Sequence, residues 1–244
     1  MQRRPVDLRE RIIVALDFER PELAREMVLR CESKVGFYKV GLELFMADWF
    51  HTVDWLIARG HRVMLDLKFF DIPETVKRAV HRVNDRGVSL FTVHGDRSII
   101  EAAVAARGDM KVLAVTVLTS FSDDDLRDYG FAGTTAELVR RRADMAIALG
   151  CDGIVSSGRE AEMVRQRHGG TPLIVTPGIR MISPSEAAVD DQKRVMTPAR
   201  AIAAGADHLV VGRPITRAPD PLSVICGMQK DLEAALDRDH EGSN

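Results

Sequence analysis

The run RVMLDLKFFDIPETVKRAVHRVNDRG, residues 62–87, decides the fold. Its first seven residues are rich in apolar side chains and are too few for a helix, so they read as a buried strand. Pro73 then opens a helix-length stretch, where its missing N–H is tolerated, and Gly87 ends it. A strand followed directly by a helix is the repeating unit of α/β folds.

The same unit recurs along the chain. Short apolar runs begin at Ile12, Phe37, Arg62, Ser89, Lys111, Asp152, Pro172 and Asp207, at spacings of 25, 25, 27, 22, 41, 20 and 35 residues. Runs that are apolar at nearly every position suit strands buried on both faces, as in a parallel sheet. Between them, helices are expected at Pro21–Glu32, Leu44–Arg59, Pro73–Arg86, Ser98–Arg107, Thr135–Leu149, Arg159–His168, Thr197–Ala204 and Pro221–Asp237. The Leu44–Arg59 stretch carries Trp49, Phe50, Val53 and Ile57 at helical spacing. Eight such units predict a (β/α)₈ TIM barrel, one domain over residues 1–244. A doubly wound open sheet is the alternative, but no Gly-rich dinucleotide loop follows the first strand. The two long spacings mark inserts near 120–134 and 178–196, and a polar, frayed tail is expected from about residue 237.

Composition narrows the function. Thirty-four Lys and Arg against 36 Asp and Glu leave a net charge of −2, which argues against a nucleic-acid binder relying on bulk basic charge. Apolar residues at 45% exclude a disordered chain. The longest mostly apolar run, Val112–Leu118, is far short of the roughly 20 residues that span a bilayer, so no membrane partner is expected. MQRRPVDLRER lacks a signal-peptide core, which points to the cytoplasm. Cys31, Cys151 and Cys226 are odd in number and widely spaced, with no C-x-x-C pair, so neither a disulfide framework nor a zinc knuckle is indicated.

In a barrel of this kind the chemistry sits at the C-terminal ends of the strands. The polar residues there are Asp17 on the first, Lys39 in the second, and Asp66, Lys68 and Asp71 at the third. His94 ends the fourth, Thr119 and Ser120 follow the fifth, and Ser156 and Ser157 end the sixth. Arg180 follows the seventh, and Gly212 with Arg213 follows the eighth. Asp66 and Lys68 are two apart on a strand and therefore project together. Alternating charges in one partly desolvated mouth are costly unless paired or used. Neighbouring carboxylates favour the ammonium form of Lys68, which makes it a proton donor and a poor Schiff-base amine.

The loops after strands seven and eight, PGIR at 177–180 and VGRP at 211–214, combine glycine with arginine where such barrels often bind phosphate. The insert from Arg180 to Thr197 has the composition of a closing lid.

These stretches together resemble the orotidine 5′-phosphate decarboxylase family. The resemblance is carried by DLKFFDIPETV at 66–76, PGIR at 177–180, DDQKR at 190–194 and VGRPI at 211–215. ALDF, YKVG and VTVLTS fall in the same order, so it spans essentially the whole chain and is closest to the bacterial monofunctional form. It implies decarboxylation of orotidine 5′-phosphate to UMP without metal or organic cofactor. Lys68 would protonate C6, Asp66 would face the substrate carboxylate, and Lys39 and Asp17 would hold the ribose hydroxyls. Asp71 and Thr75 would reach into the site of a second subunit, so that a homodimer is required. Thr119 and Ser120 would lie near the pyrimidine, and Gln192, Gly212 and Arg213 would grip the phosphate with Arg180 at the base of the lid.

Two stretches depart from the family pattern. Phe70 stands where His is usual, and His94-Gly95-Asp96-Arg97 replaces H-A-S-G. Phe70 is expected to pack, and His94 to be structural. The rival expectations are a magnesium-dependent decarboxylase or synthase of the same superfamily, and a non-catalytic UMP-binding barrel.

Overall fold

The computed structural model describes residues 5–181 and 196–241. Eight parallel strands run in sequence order: β1 (Ile12–Ala15), β2 (Phe37–Gly41), β3 (Arg62–Phe69), β4 (Leu90–His94), β5 (Lys111–Val115), β6 (Gly153–Val155), β7 (Leu173–Thr176) and β8 (His208–Val211). β8 pairs back onto β1 through Ile12–Leu209 and Val14–Val211, closing the barrel. Each strand starts within one residue of the expected position. The helices are α1 (Leu8–Arg11), α2 (Pro21–Cys31), α3 (Leu42–Asp48), α4 (His51–Ala58), α5 (Pro73–Asn84), α6 (Arg97–Ala106), α7 (Asp123–Asp128), α8 (Thr135–Ala148), α9 (Gly158–His168), α10 (Pro198–Ala203), α11 (Arg213–Thr216) and α12 (Pro221–Glu241).

Strand alternation builds two apolar layers. Ile12, Val14 and Leu16 point outward into the large core between strands and helices. Ile13, Ala15, Phe37, Met64, Leu90, Leu113, Leu173, Val175 and Val210 point inward and fill the barrel. Because side chains two apart share a face, the next inward positions after Ala15, Phe37, Met64 and Leu90 are Asp17, Lys39, Asp66 and Thr92. The packed interior therefore ends in a polar layer at the C-terminal mouth.

The short helices α1 and α11 were not expected, and three further differences bear on the fold. The helix expected over Leu44–Arg59 is broken into α3 and α4, because Trp49 adopts a left-handed backbone with φ of 52°. Trp49 and Phe50 both pack on Phe45, with ring centroids 4.9 Å and 5.0 Å away. The aromatic cluster replaces the continuous stripe. α12 continues past Asp237 to Glu241, through residues that include no glycine or proline to stop it. The insert near 120–134 contains α7, whose start is held by a reciprocal Ser122–Asp125 capping box.

At the opposite end of the barrel, Arg165 of α9 and Asp207 just before β8 form a fully buried ion pair at 2.7 Å. Among the described residues, no helix is long and apolar enough to cross a membrane.

Candidate active site

The mouth is organised around Asp66. Its Oδ1 accepts from Lys68 Nζ at 2.9 Å and from Thr92 Oγ1 at 2.9 Å, and its Oδ2 lies 3.6 Å from Lys39 Nζ. Lys39 Nζ also donates to Asp17 Oδ1 at 2.9 Å. Cations and carboxylates thus alternate along Asp17–Lys39–Asp66–Lys68. Burial alone would push the Asp66 carboxyl up, but the ammonium groups of Lys39 and Lys68, with the Lys68 and Thr92 hydrogen bonds, outweigh it and hold Asp66 below the ordinary carboxylate range.

Lys68 reaches this position by an irregular route. β3 and β4 pair at Leu65–Phe91 and again at Phe69–Val93, so the pairing register shifts between Leu65 and Phe69. Lys68 has a left-handed backbone, φ 47°, which is unfavourable by about 1–3 kcal/mol for a residue with a Cβ. The Thr92 hydroxyl accepts the Lys68 N–H at 3.0 Å and holds it there. The expectation that Asp66 and Lys68 converge is met, but through a bulge and not through regular alternation.

A cavity of about 310 Å³ opens over the array. Asp17, Lys39, Asp66 and Lys68 form one wall, and Thr119, Ser120 and Ser156 line it further round. Gly178, Arg180, Gly212 and Arg213 face in from the loops after β7 and β8. Two backbone bonds tie Gly178 and Arg180 to Met196: Arg180 N–H to Met196 C=O at 3.0 Å, and Met196 N–H to Gly178 C=O at 3.2 Å. Gln192 and most of the expected lid fall at 182–195, outside the described residues.

Asp71 and Thr75 are not brought to this cavity. Both are solvent-exposed on the stretch after β3, beside the exposed Phe70 and Ile72. His94 is half-buried, does not line the cavity, and places Nδ1 2.5 Å from Asp96 Oδ2. Ser157 is buried and also lies off the cavity lining.

The profile of the orotidine 5′-phosphate decarboxylase / HUMPS family matches residues 10–226. This chain belongs to that family. Among curated proteins it is similar to orotidine 5′-phosphate decarboxylase of Methylococcus capsulatus, with 49% identity over 222 residues covering 91% of each chain. The enzyme of the same name from Rhodopseudomonas palustris strain BisB5 is 49% identical over 219 residues, covering 89% of this chain and 92% of its own. Among solved structures, orotidine 5′-phosphate decarboxylase of Lactobacillus acidophilus superposes with a TM-score of 0.79 at 34% identity, covering 91% of this chain and 99% of that one.

Two contributors to the orotidine 5′-phosphate decarboxylase / HUMPS family site escaped the sequence reading. Thr92 bridges Lys68 and Asp66 from the neighbouring strand, yet in sequence it is an ordinary β-branched strand residue. Its signal is parity, since it stands two residues beyond the interior Leu90. Gly41 is the second. A Cβ there would lie 2.9 Å from Lys39 Nζ and 3.1 Å from Asp17 Oδ1, so only glycine leaves room for their ion pair.

Proposed function

We propose that this chain decarboxylates orotidine 5′-phosphate to UMP in pyrimidine biosynthesis, without metal or organic cofactor, with Lys68 as the general acid. The observation that carries this reading is the Asp17–Lys39–Asp66–Lys68 array opening into a cavity that Gly212 and Arg213 also line. The near-50% identity to enzymes of that name supports the substrate.

In the reaction, the bond between C6 and the carboxylate carbon breaks and its electron pair remains on C6 as CO₂ departs. The Lys68 ammonium stabilises that developing negative charge and then transfers one proton to C6, leaving a neutral amine that recovers a proton from solvent. Asp66, kept ionised by Lys39 and Lys68, stands against the substrate carboxylate, and their repulsion ends when neutral CO₂ forms. It also orients Lys68 for the transfer. Lys39 and Asp17 hold the ribose hydroxyls, and Thr119 and Ser120 contact the pyrimidine. Arg180, Gly212 and Arg213, joined by Gln192, bind the phosphate. Binding energy from that remote group positions the reacting carbon.

The active form is a homodimer in which Asp71 and Thr75 complete the site of the partner subunit. Support comes from their exposure away from their own cavity and from the apolar side chains next to them in the chain: Phe70 and Ile72 are each more than half exposed. Isolated exposed apolar side chains are ordinary, but a group of them marks an interaction surface.

The deciding experiment is the ultraviolet assay of orotidine 5′-phosphate loss in excess EDTA. Full activity is expected. Activity abolished by chelation would instead indicate a metal-dependent member of the family, and tight UMP binding without turnover would indicate a non-catalytic barrel. Mixing Lys68→Ala with Asp71→Ala subunits tests the shared site. A hybrid dimer keeps one intact site, so a statistical mixture should regain about a quarter of wild-type activity; no recovery under subunit exchange removes the trans assignment.

A further inference from the structure

In the structure Phe70, just after β3, touches the His94–Arg97 run at the end of β4. The Phe70 and His94 rings lie 4.6 Å apart between centroids at a 46° tilt. His94 Nδ1 is 2.5 Å from Asp96 Oδ2. The other Asp96 oxygen, Oδ1, is 3.8 Å from Arg142 Nη2 of α8. Arg142 Nη1 donates to the Thr116 carbonyl at 2.6 Å. A continuous set of contacts therefore runs from the segment after β3, across the end of β4, to the segment after β5.

Three further observations show that this set is built in. Asp96 occupies the N-cap position of α6, yet its side chain makes no capping bond there; its carboxylate is committed to His94 and Arg142. Gly95 permits the close approach, because a Cβ would meet the Val115 carbonyl at 2.6 Å and Arg142 Cδ at 3.2 Å. Phe70 is 68% exposed and takes no part in the buried core, and its ring meets the His94 ring. None of Phe70, His94, Asp96 or Arg142 lines the cavity.

What the set connects is chemically specific. Phe70 lies two residues after Lys68 and immediately before Asp71. Thr116 leads directly into Val117, Leu118, Thr119 and Ser120, all on the cavity wall. Lys68 keeps a left-handed backbone, a conformation that persists only where its surroundings over-determine it. We propose that Phe70, His94, Asp96 and Arg142 are positioning residues that lock the Lys68–Asp71 segment to the Thr116–Ser120 segment, so that the proton donor and the cavity wall after β5 stay in register. The proposal rests on the decarboxylase reading for its kinetic consequence but not for its structural one. A misplacement of the order of 1 Å at such a site lowers turnover by one to two orders of magnitude.

The test compares Asp96→Leu, which removes both interactions at similar size, with Asp96→Asn, which retains an oxygen acceptor for His94. Two readouts are taken. Amide hydrogen exchange over residues 69–72 and 116–120 should accelerate in both segments in Asp96→Leu and less in Asp96→Asn, which keeps the oxygen facing His94 but loses the charge facing Arg142. For orotidine 5′-phosphate, kcat should fall about tenfold in Asp96→Leu with KM within about twofold, and Asp96→Asn should recover part of it. Phe70→Ala combined with Asp96→Leu should be no worse than the poorer single variant, because both break the same set. Unchanged exchange at either segment, or an Asp96→Asn protein as impaired as Asp96→Leu, overturns the proposal. A wild-type protein without turnover overturns the decarboxylase reading alone, since the exchange measurement still decides the coupling.

Discussion

Among the described residues, this barrel has a charge cluster at each end, and the two are built differently. At the floor, every nitrogen of the Arg165 guanidinium donates: Nε and Nη2 to Gly205 C=O, Nη1 to Gly169 C=O and Pro172 C=O, and Nη2 also to Asp207 Oδ2. Asp207 Oδ2 accepts the Ile174 N–H as well, so the pair pins the starts of β7 and β8. Both side chains are at most 1% exposed. At the mouth, Lys68 meets Asp66 at the same kind of distance but remains 34% exposed, facing the cavity. Like charges and like distances thus serve two ends. A cluster that spends its donors on backbone carbonyls is closed to ligand, whereas one whose cations look into a cavity can act on what enters it.

The comparison breaks most visibly at Lys68. Lys68→Ala should reduce turnover of orotidine 5′-phosphate by at least about 10⁴-fold, since both proton transfer and charge stabilisation are lost. UMP binding by calorimetry should persist. An active Lys68→Ala enzyme would remove its role as acid and make the mouth another structural cluster.

The floor should respond in the opposite sense. Arg165→Met leaves Asp207 buried without its cation, a loss of about 3–5 kcal/mol. Thermal unfolding should move down by about 10 °C for a chain of this size. The kcat of the protein that remains folded should stay within about twofold of wild type. A large drop in kcat without a drop in melting temperature would mean that the floor is coupled to the chemistry.

Thr92→Val sharpens the contrast with the smallest change. It keeps the shape and the buried strand position but deletes the hydroxyl that accepts the Lys68 N–H and donates to Asp66. A lost hydrogen bond to a charged group corresponds to roughly a tenfold fall in kcat, with little effect on KM. If kcat is unchanged, the Lys68 backbone is held by the sheet alone.

Much of this was legible from local pattern. Strand starts were readable because buried parallel strands are apolar at almost every position, and Pro73 and Gly87 mark helix ends through their own backbone chemistry. The convergence of Asp17, Lys39 and Asp66 was readable because the C-terminal ends of neighbouring barrel strands meet at one mouth. The break at Trp49 was not, because Trp49 and Phe50 continue a helical apolar stripe in sequence and only their packing on Phe45 selects the left-handed turn. Thr92 and Gly41 were missed for a related reason: each matters through a neighbour 24 to 26 residues away, or through space it leaves empty.

The sequence by itself therefore determined the eight-unit barrel and the residue types at the mouth, since both follow from short-range periodicity, while its motifs carried the resemblance to the family. Only the tertiary structure decided which charges meet. It set Asp66 as the hub between two lysines, placed Lys68 on a bulge in a left-handed conformation, and kept Asp71 and Thr75 off their own cavity. It also brought Phe70 onto His94. Those outcomes depend on strand register and on contacts between residues far apart in the chain, and a linear pattern carries no distance between them.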